Sequence, residues 1–181
     1  MMNDKGARSL INRDGPIERV FFVFLSVSYL CRQNTPMHTS CYLVSCVGQK
    51  TQMPTKAKDL YVSDWFKKVR RYVEGTEAHW YILSAAHGLV DPETVIAPYE
   101  KTLNTMGVDE RRAWARQVIE QMNLNLPVCE KIVVFAGSRY REFLLDYLKQ
   151  RAAKVEIPLE GLRIGEQLSW FGYHPPDRPQ S

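Results

Sequence analysis

The sequence predicts a single α/β domain, three layers deep, built on a four-stranded parallel sheet. Three observations carry that expectation. Four short apolar runs alternate with segments of helical period, which is how strands joined by crossover helices read. Each run leaves through small or polar residues, as strands do where loops converge on a ligand. A chain of 181 residues is long enough for one domain that buries roughly 70% of its unfolded surface, so it needs no disulfide or metal to fold.

Residues 1–36 do not share the alternating pattern. Their apolar run, 20–31, is too short to cross a membrane, and Arg13, Asp14, Glu18 and Arg19 before it mix both signs of charge. No small-residue cleavage site follows, so a signal peptide is not expected. The segment reads as a flexible extension or an upstream translation start. The working domain is then 37–174, with a tail at 175–181.

The first strand is expected over 41–46. A helix follows behind a Ser63 cap, with Trp65, Phe66, Val69, Tyr72 and Val73 recurring on one face. The second strand, 80–84, runs into Ser84-Ala85-Ala86-His87-Gly88-Leu89-Val90-Asp91-Pro92. A second helix is expected over 108–123, with Trp114, Val118, Ile119 and Met122 inward and Arg111, Arg112, Arg116 and Gln117 outward. Asn125 and Pro127 end it. The third strand, 131–136, passes through Gly137-Ser138 into a helix over 139–149, and the fourth strand spans 154–158. Beyond Trp170 the chain becomes proline-rich and is expected to fray.

The excess of 24 Lys and Arg over 20 Asp and Glu, a net charge of +4, permits a nucleic-acid partner without requiring one. Cys31, Cys41, Cys46 and Cys129 form no Cys-x-x-Cys pair, so neither a zinc site nor any other metal or cofactor is expected. Scattered single cysteines suit a reducing compartment, hence a cytoplasmic protein. No membrane association and no obligate protein partner are expected.

The strand exits are where chemistry would collect. The first supplies Cys46, Gly48, Gln49 and Lys50, the second Ser84, His87 and Asp91, the third Arg139, and the fourth Glu160, Leu162, Arg163 and Gln167. The connection over 92–106 is long, and long structured loops tend to be functional. Its Tyr99 can stack on a planar ring, and its Asn104 can pair with a base edge. Each residue also has a structural reading. Asp91 before Pro92 is a turn former, Asp59 a helix cap, His87 a surface histidine, and Leu162 and Ile164 can simply pack the last helix.

Five motifs carry a resemblance: Leu43-Val44-Ser45-Cys46-Val47-Gly48-Gln49-Lys50, Ala57-Lys58-Asp59-Leu60-Tyr61-Val62-Ser63, Ile82-Leu83-Ser84-Ala85-Ala86-His87-Gly88-Leu89, Pro98-Tyr99-Glu100-Lys101-Thr102-Leu103, and Leu159-Glu160-Gly161-Leu162-Arg163-Ile164-Gly165-Glu166-Gln167-Leu168. Together they resemble an uncharacterised bacterial domain family over about 41–171. That family is similar at its strand ends to the YaaA-like proteins and to the central domain of archaeosine-forming tRNA enzymes. The same strand ends resemble the uracil-DNA glycosylase superfamily. Val133-Val134-Phe135-Ala136-Gly137-Ser138-Arg139-Tyr140 is similar to that superfamily's strand-to-helix turn ending in Trp-Gly-Ser. Ser84 falls where it places a base-reading Asn, and 158–167 where it places a His-containing motif and a wedge loop. The chain departs from its Gln-Asp-Pro-Tyr motif, retaining Gly48-Gln49 with Lys50 in place of the aspartate.

The resemblance implies a uracil-glycosylase-like fold and a DNA glycosylase that flips a modified base out of duplex DNA and leaves an abasic site. A hypermodified cytosine of phage DNA, such as glucosylated hydroxymethylcytosine, would suit an antiviral role. Cleaving an N-glycosidic bond builds positive charge on the sugar, so a nearby carboxylate can stabilise it and orient water. Asp59 and Asp91 are the candidates, with His87 to protonate or bond the leaving base. Lys50 could instead attack the sugar, a route ranked below water attack. Cys46, Gln49, Ser84, Tyr99, Asn104 and Glu160 would line the base pocket. Lys58, Arg139, Arg163 and Gln167, with a Leu162 wedge, would hold DNA. Two other functions stay open: a non-catalytic YaaA-like DNA-binding protein in damage tolerance, and a base-exchange or nucleotide-processing enzyme.

Overall fold

A computed structural model describes residues 38–46 and 48–176. The expected extension over 1–36 lies outside the described residues, as does 177–181 of the expected tail. Strand β1, His38–Ser45, is central. A short strand β2, Thr55–Lys56, and helix α1, Ala57–Leu60, precede helix α2, Asp64–Glu74. Strands β3, His79–Ser84, β4, Gly88–Val90, and β5, Val95–Ile96, follow. A 3-10 turn at Leu103–Thr105 leads into helix α3, Val108–Asn125. The remainder is β6, Cys129–Phe135, α4, Ser138–Arg141, α5, Leu145–Arg151, β7, Lys154–Glu156, and α6, Ile164–Tyr173.

The main sheet has five strands in the order β4-β3-β1-β6-β7, and β2 pairs with β5 in a separate two-stranded ribbon. All four expected strands are present and parallel to one another. The sheet is nevertheless not four-stranded: β4 adds an antiparallel edge, pairing Leu83 with Leu89 and Ser84 with Gly88. The unusual exit from the second apolar run is therefore a hairpin. Ala85, Ala86 and His87 make its loop, and Gly88 closes it at φ 76°, a left-handed conformation open to glycine at little cost.

Helices cover both faces. Tyr42 and Phe135 stack on one face, and Tyr72 of α2 and Trp170 and Phe171 of α6 meet Phe135 edge-on or tilted. Helix α2 starts where Ser63 Oγ accepts the amide of Phe66, the cap that the sequence predicts. Helix α3 lies on the opposite face, where the hydroxyl of Tyr81 donates to the Asn125 carbonyl at 2.9 Å.

Three expectations are corrected. Arg111 does not point outward; it is 4% exposed, bonds Glu142, and donates to the Met106 carbonyl at 2.6 Å. Its guanidinium has partners on two other segments, which is what makes burying it tolerable. The helix expected over 139–149 is two helices broken at 142–144, where Leu144 turns inward and is almost fully buried. The chain is helical, not frayed, directly beyond Trp170, because α6 continues to Tyr173 and places Trp170 and Phe171 against Phe135 of the sheet.

The edge strand is closed by one side chain. Gln121 of α3 accepts the Leu89 amide at 2.7 Å and donates to the His87 carbonyl at 3.0 Å, as a neighbouring strand would. This occupies backbone groups that an open edge would offer to another chain. A Cβ on Gly88 would lie 2.1 Å from Gln121 Oε1. Gly88→Ala is expected to cost about 2–3 kcal/mol, combining left-handed backbone strain with a weakened Gln121 bond. In a Gln121→Ala background the same change is expected to cost only about 1–2 kcal/mol, the strain alone. Urea denaturation of the four proteins checks this, and equal costs in both backgrounds would remove Gln121 as the obstacle.

Candidate functional site

The order of the strands fixes where a site can form. The chain moves from β1 to β3 on one side of the sheet and from β6 to β7 on the other, so the loops after β1 and β6 diverge and leave a crevice between their carboxyl ends. Cys46 ends β1 in that crevice, and Tyr140 enters from α4 after β6. The Cys46 Sγ and Tyr140 hydroxyl are 3.2 Å apart, both buried.

Ser84, fully buried at the end of β3, organises the adjoining group. Its Oγ accepts the amides of Ala86 and His87 at 3.3 and 3.1 Å. A serine oxygen has two lone pairs, so these bonds leave its proton for the Tyr99 hydroxyl 2.8 Å away. Tyr99 can then donate to Tyr61, 2.9 Å beyond. The backbone of one hairpin thus sets the direction of a chain of three hydroxyls. Tyr61, at its end, keeps its proton for the neighbouring Cys46 sulfur. Burial, followed by the Cys46 sulfur, pushes the Tyr61 phenol up to about 12. The same causes in the same order raise Tyr99 and Tyr140. All three phenols therefore act as neutral hydrogen-bonding groups.

The loop after β1 reaches this group by pairing with the segment that carries Tyr61. The Thr51 amide donates to the Leu60 carbonyl, and the Val62 amide donates to the Gln49 carbonyl. Gly48 makes the approach possible, at φ 79° with room for no more than a hydrogen against Ser63. Lys50 consequently sits with its ammonium 4.5 Å from the centre of the Tyr99 ring, an attraction between charge and ring face. The His87 ring meets another side of Tyr99 edge-on at 5.3 Å. Gln49, Lys50, Thr51, Gln52, Tyr99 and Glu100 border a cleft of about 900 Å³. A smaller cleft of about 420 Å³, along β4, has His87, Asp91 and Thr94 in its walls.

The sequence-derived candidates divide into two groups. Cys46, Gln49, Lys50, Ser84, His87 and Tyr99 come together. Asp59 instead pairs with Arg70 at 2.6 Å on the outer side of α1. Asp91 accepts the Glu93 amide at 2.8 Å, making the turn that its place before Pro92 suggests, and lies in the smaller cleft. Lys58 bonds Glu93, whose carboxyl is held down to about 2 by hydrogen bonds from Lys58 and then Lys56. Glu160 pairs with Arg141 at 2.5 Å. Gln167 is an internal latch that accepts from Trp65 Nε1 and donates to the Leu162 carbonyl, both at 2.8 Å. Leu162 packs against the core, while Ile164 is 62% exposed. Asn104 lies exposed in the 3-10 turn, and Arg139 and Arg163 are exposed with no ion pair among the described residues.

Sequence reasoning missed Tyr61, Tyr140 and Glu100 as site residues. Each stands inside one of the quoted motifs, and that membership is the one sequence signal they carry, since Tyr61 follows α1 and Tyr140 lies within α4. Among the described residues, no group of His, Cys, Asp and Glu could hold a metal ion. No described helix is long and apolar enough to cross a membrane.

Comparison with known proteins bears on the same region. A model of a family of unknown function, DUF6884, matches residues 41–173, a stretch that contains every site residue above. Over 97 residues the chain is 32% identical to the uncharacterized protein YfjM of Bacillus subtilis (strain 168), covering 50% of this chain and 61% of that relative. The match thus spans less than two thirds of the relative's length. No solved structure matches.

The hydroxyl chain has a measurable signature. A phenol whose folded pKa is raised contributes stability that is complete below the ordinary tyrosine value of 10.0 and is lost as pH rises through about 12. Tyr61→Phe is expected to remove the component near 12 that Tyr61 supplies to the tyrosine absorbance titration and to flatten the alkaline loss of stability. Loss of the component near the ordinary value of 10.0 instead would show that Tyr61 ionises as a solvent-exposed phenol does.

Proposed function

The chain belongs to this family of unknown function, and from the geometry of its strand ends we propose that it is a DNA glycosylase of uracil-glycosylase-like fold. It hydrolyses the N-glycosidic bond of a hypermodified base, with glucosylated hydroxymethylcytosine in phage DNA the leading substrate and antiviral defence the role. The observation that carries the reading is the larger cleft. Its volume of about 900 Å³ lies at the upper end of the roughly 300–1,000 Å³ of small-molecule sites, more than a plain base needs.

The lining suits a base that bears a sugar. Tyr99 offers a flat ring for stacking, and its hydroxyl is fixed by Ser84 and Tyr61 so the ring is held before the ligand arrives. Gln49 and Gln52 supply amides that both donate and accept, Thr51 a hydroxyl, and Lys50 and Glu100 one charge of each sign. A flipped base stacking on Tyr99 would displace the Lys50 ammonium towards the phosphates beside the site. Flipping costs a few kcal/mol, and the exposed Arg139 and Arg163 are available to offset it through phosphate contacts, with Ile164 exposed beside Arg163 as an apolar wedge.

One observation favours a second reading. Both carboxylates expected to assist bond cleavage are engaged away from the larger cleft, Asp59 by Arg70 and Asp91 by its own turn. A YaaA-like protein that binds DNA without cutting the glycosidic bond would need neither.

Incubation with DNA carrying cytosine, hydroxymethylcytosine or its glucosylated form, followed by mass measurement of released bases, separates the readings. Release of the intact glucosylated base, with alkali-labile sites left in the DNA, is the expected outcome. Binding without release from any of the three would establish the non-catalytic reading in its place. With Arg139 and Arg163 each neutralising one phosphate, the slope of log affinity against log salt on duplex DNA is expected near −2, about −0.9 per phosphate neutralised. Arg163→Ala is expected to bring it to about −1 without changing which base is released, and a slope near zero would turn this face away from DNA.

A further inference from the structure

Base excision still needs a negative group beside the sugar, and this question rests on the glycosylase reading above. Asp59 and Asp91 are each held by other groups, as described. Glu100 is the acidic residue in the lining of the larger cleft. Its side chain is exposed, and no hydrogen bond or ion pair holds its carboxylate among the described residues.

Glu100 also has a fixed base to act from. It directly follows Tyr99, whose hydroxyl is clamped between Ser84 and Tyr61 and whose ring is flanked by Lys50 and His87. A stacking ring and a carboxylate on consecutive residues reach the same ligand from one rigid piece of backbone. A base lying on Tyr99 has its sugar at the ring's margin, where the next residue's side chain can meet it.

We propose that Glu100 is the catalytic carboxylate of this site. It faces the sugar carbon as positive charge develops there, and it accepts a proton from the attacking water. The water oxygen forms a bond to C1′ while the C1′–N bond breaks and its electron pair leaves with the base. One water proton passes to Glu100 and the other stays on the new C1′ hydroxyl. The departing base takes up one proton, supplied by solvent or by protonated Glu100, so the products are the free base and an abasic deoxyribose. No oxidant, metal or cofactor enters the balance.

The test uses the full chain with DNA containing glucosylated hydroxymethylcytosine. Glu100→Gln is expected to lower single-turnover base release by about 10²-fold or more, as removal of a preorganised charge does, while affinity for the DNA stays within about threefold. Glu100→Ala is expected to show the same loss and to recover about tenfold with added formate, which supplies the missing carboxylate and would not rescue a merely structural defect. Circular dichroism of both variants should match the wild type, since the side chain is exposed and makes no bond. Base release by Glu100→Gln within threefold of wild type would overturn the role of Glu100 and leave the glycosylase reading standing. So would loss of release in Asp59→Asn or Asp91→Asn with Glu100→Gln active. A wild-type protein that binds but releases no base would overturn both.

Discussion

The site depends on how Ser84 is satisfied. It is a fully buried serine at the end of an interior strand, and a buried hydroxyl without partners would cost about 1–3 kcal/mol. Its side chain meets that demand with the Ala86 and His87 amides and the Tyr99 hydroxyl, and its carbonyl accepts Trp114 Nε1 at 2.9 Å. Those partners belong to the β3–β4 hairpin, the long loop and α3. One residue therefore ties three segments to the sheet at the place where ligands can bind. An alanine there would leave two amides, a phenol and the shape of the hairpin without a common anchor.

The same economy explains where the charges went. Charged residues in the motifs looked like candidates for binding, yet several spend their charge holding loops together. Arg70 draws Asp59 and the Lys58 carbonyl towards α2. Glu93 collects Lys56 and Lys58 from the neighbouring strand and helix. Arg141 takes Glu160, and the buried Arg111 joins the start of α3 to Glu142. Exposed pairs of this kind contribute little stability singly, but they orient segments that have no ladder of their own. Glu100, Arg139 and Arg163, which have no ion pair among the described residues, are better placed to meet a ligand.

Much of the frame was legible in the sequence. The runs that became β1 and β6, and the second half of β3, are buried on both faces and need no polar alternation, whereas the fourth became β7, a partly exposed edge strand. The Ser63 cap and the inward residues of α2 followed from spacing alone. Ser84, Lys50, Gln49, His87 and Tyr99 were found because small, polar or aromatic residues at strand exits stand out against the apolar runs. The antiparallel β4 was hidden because Leu89-Val90 is only two apolar residues long, and the side chain that bonds its Leu89 amide, Gln121, lies 32 positions away. The break between α4 and α5 was hidden because 139–149 carries an adequate helical period, and only packing turns Leu144 inward.

Sequence by itself determined the class of the fold, the order of its strands along the chain and which loops could carry chemistry, because these follow from local periodicity and from the polarity of residues at strand ends. Tertiary structure decided which members of those loops meet. Asp59, Asp91 and Glu100 are alike in the sequence, three acids near strand exits. Arg70 captures the first, its own turn the second, and neither claim reaches the third. Partners that distant in the chain act only after the sheet has brought them within a few ångströms, since short-range hydrogen bonds and ion pairs depend on distance and angle that no linear spacing records.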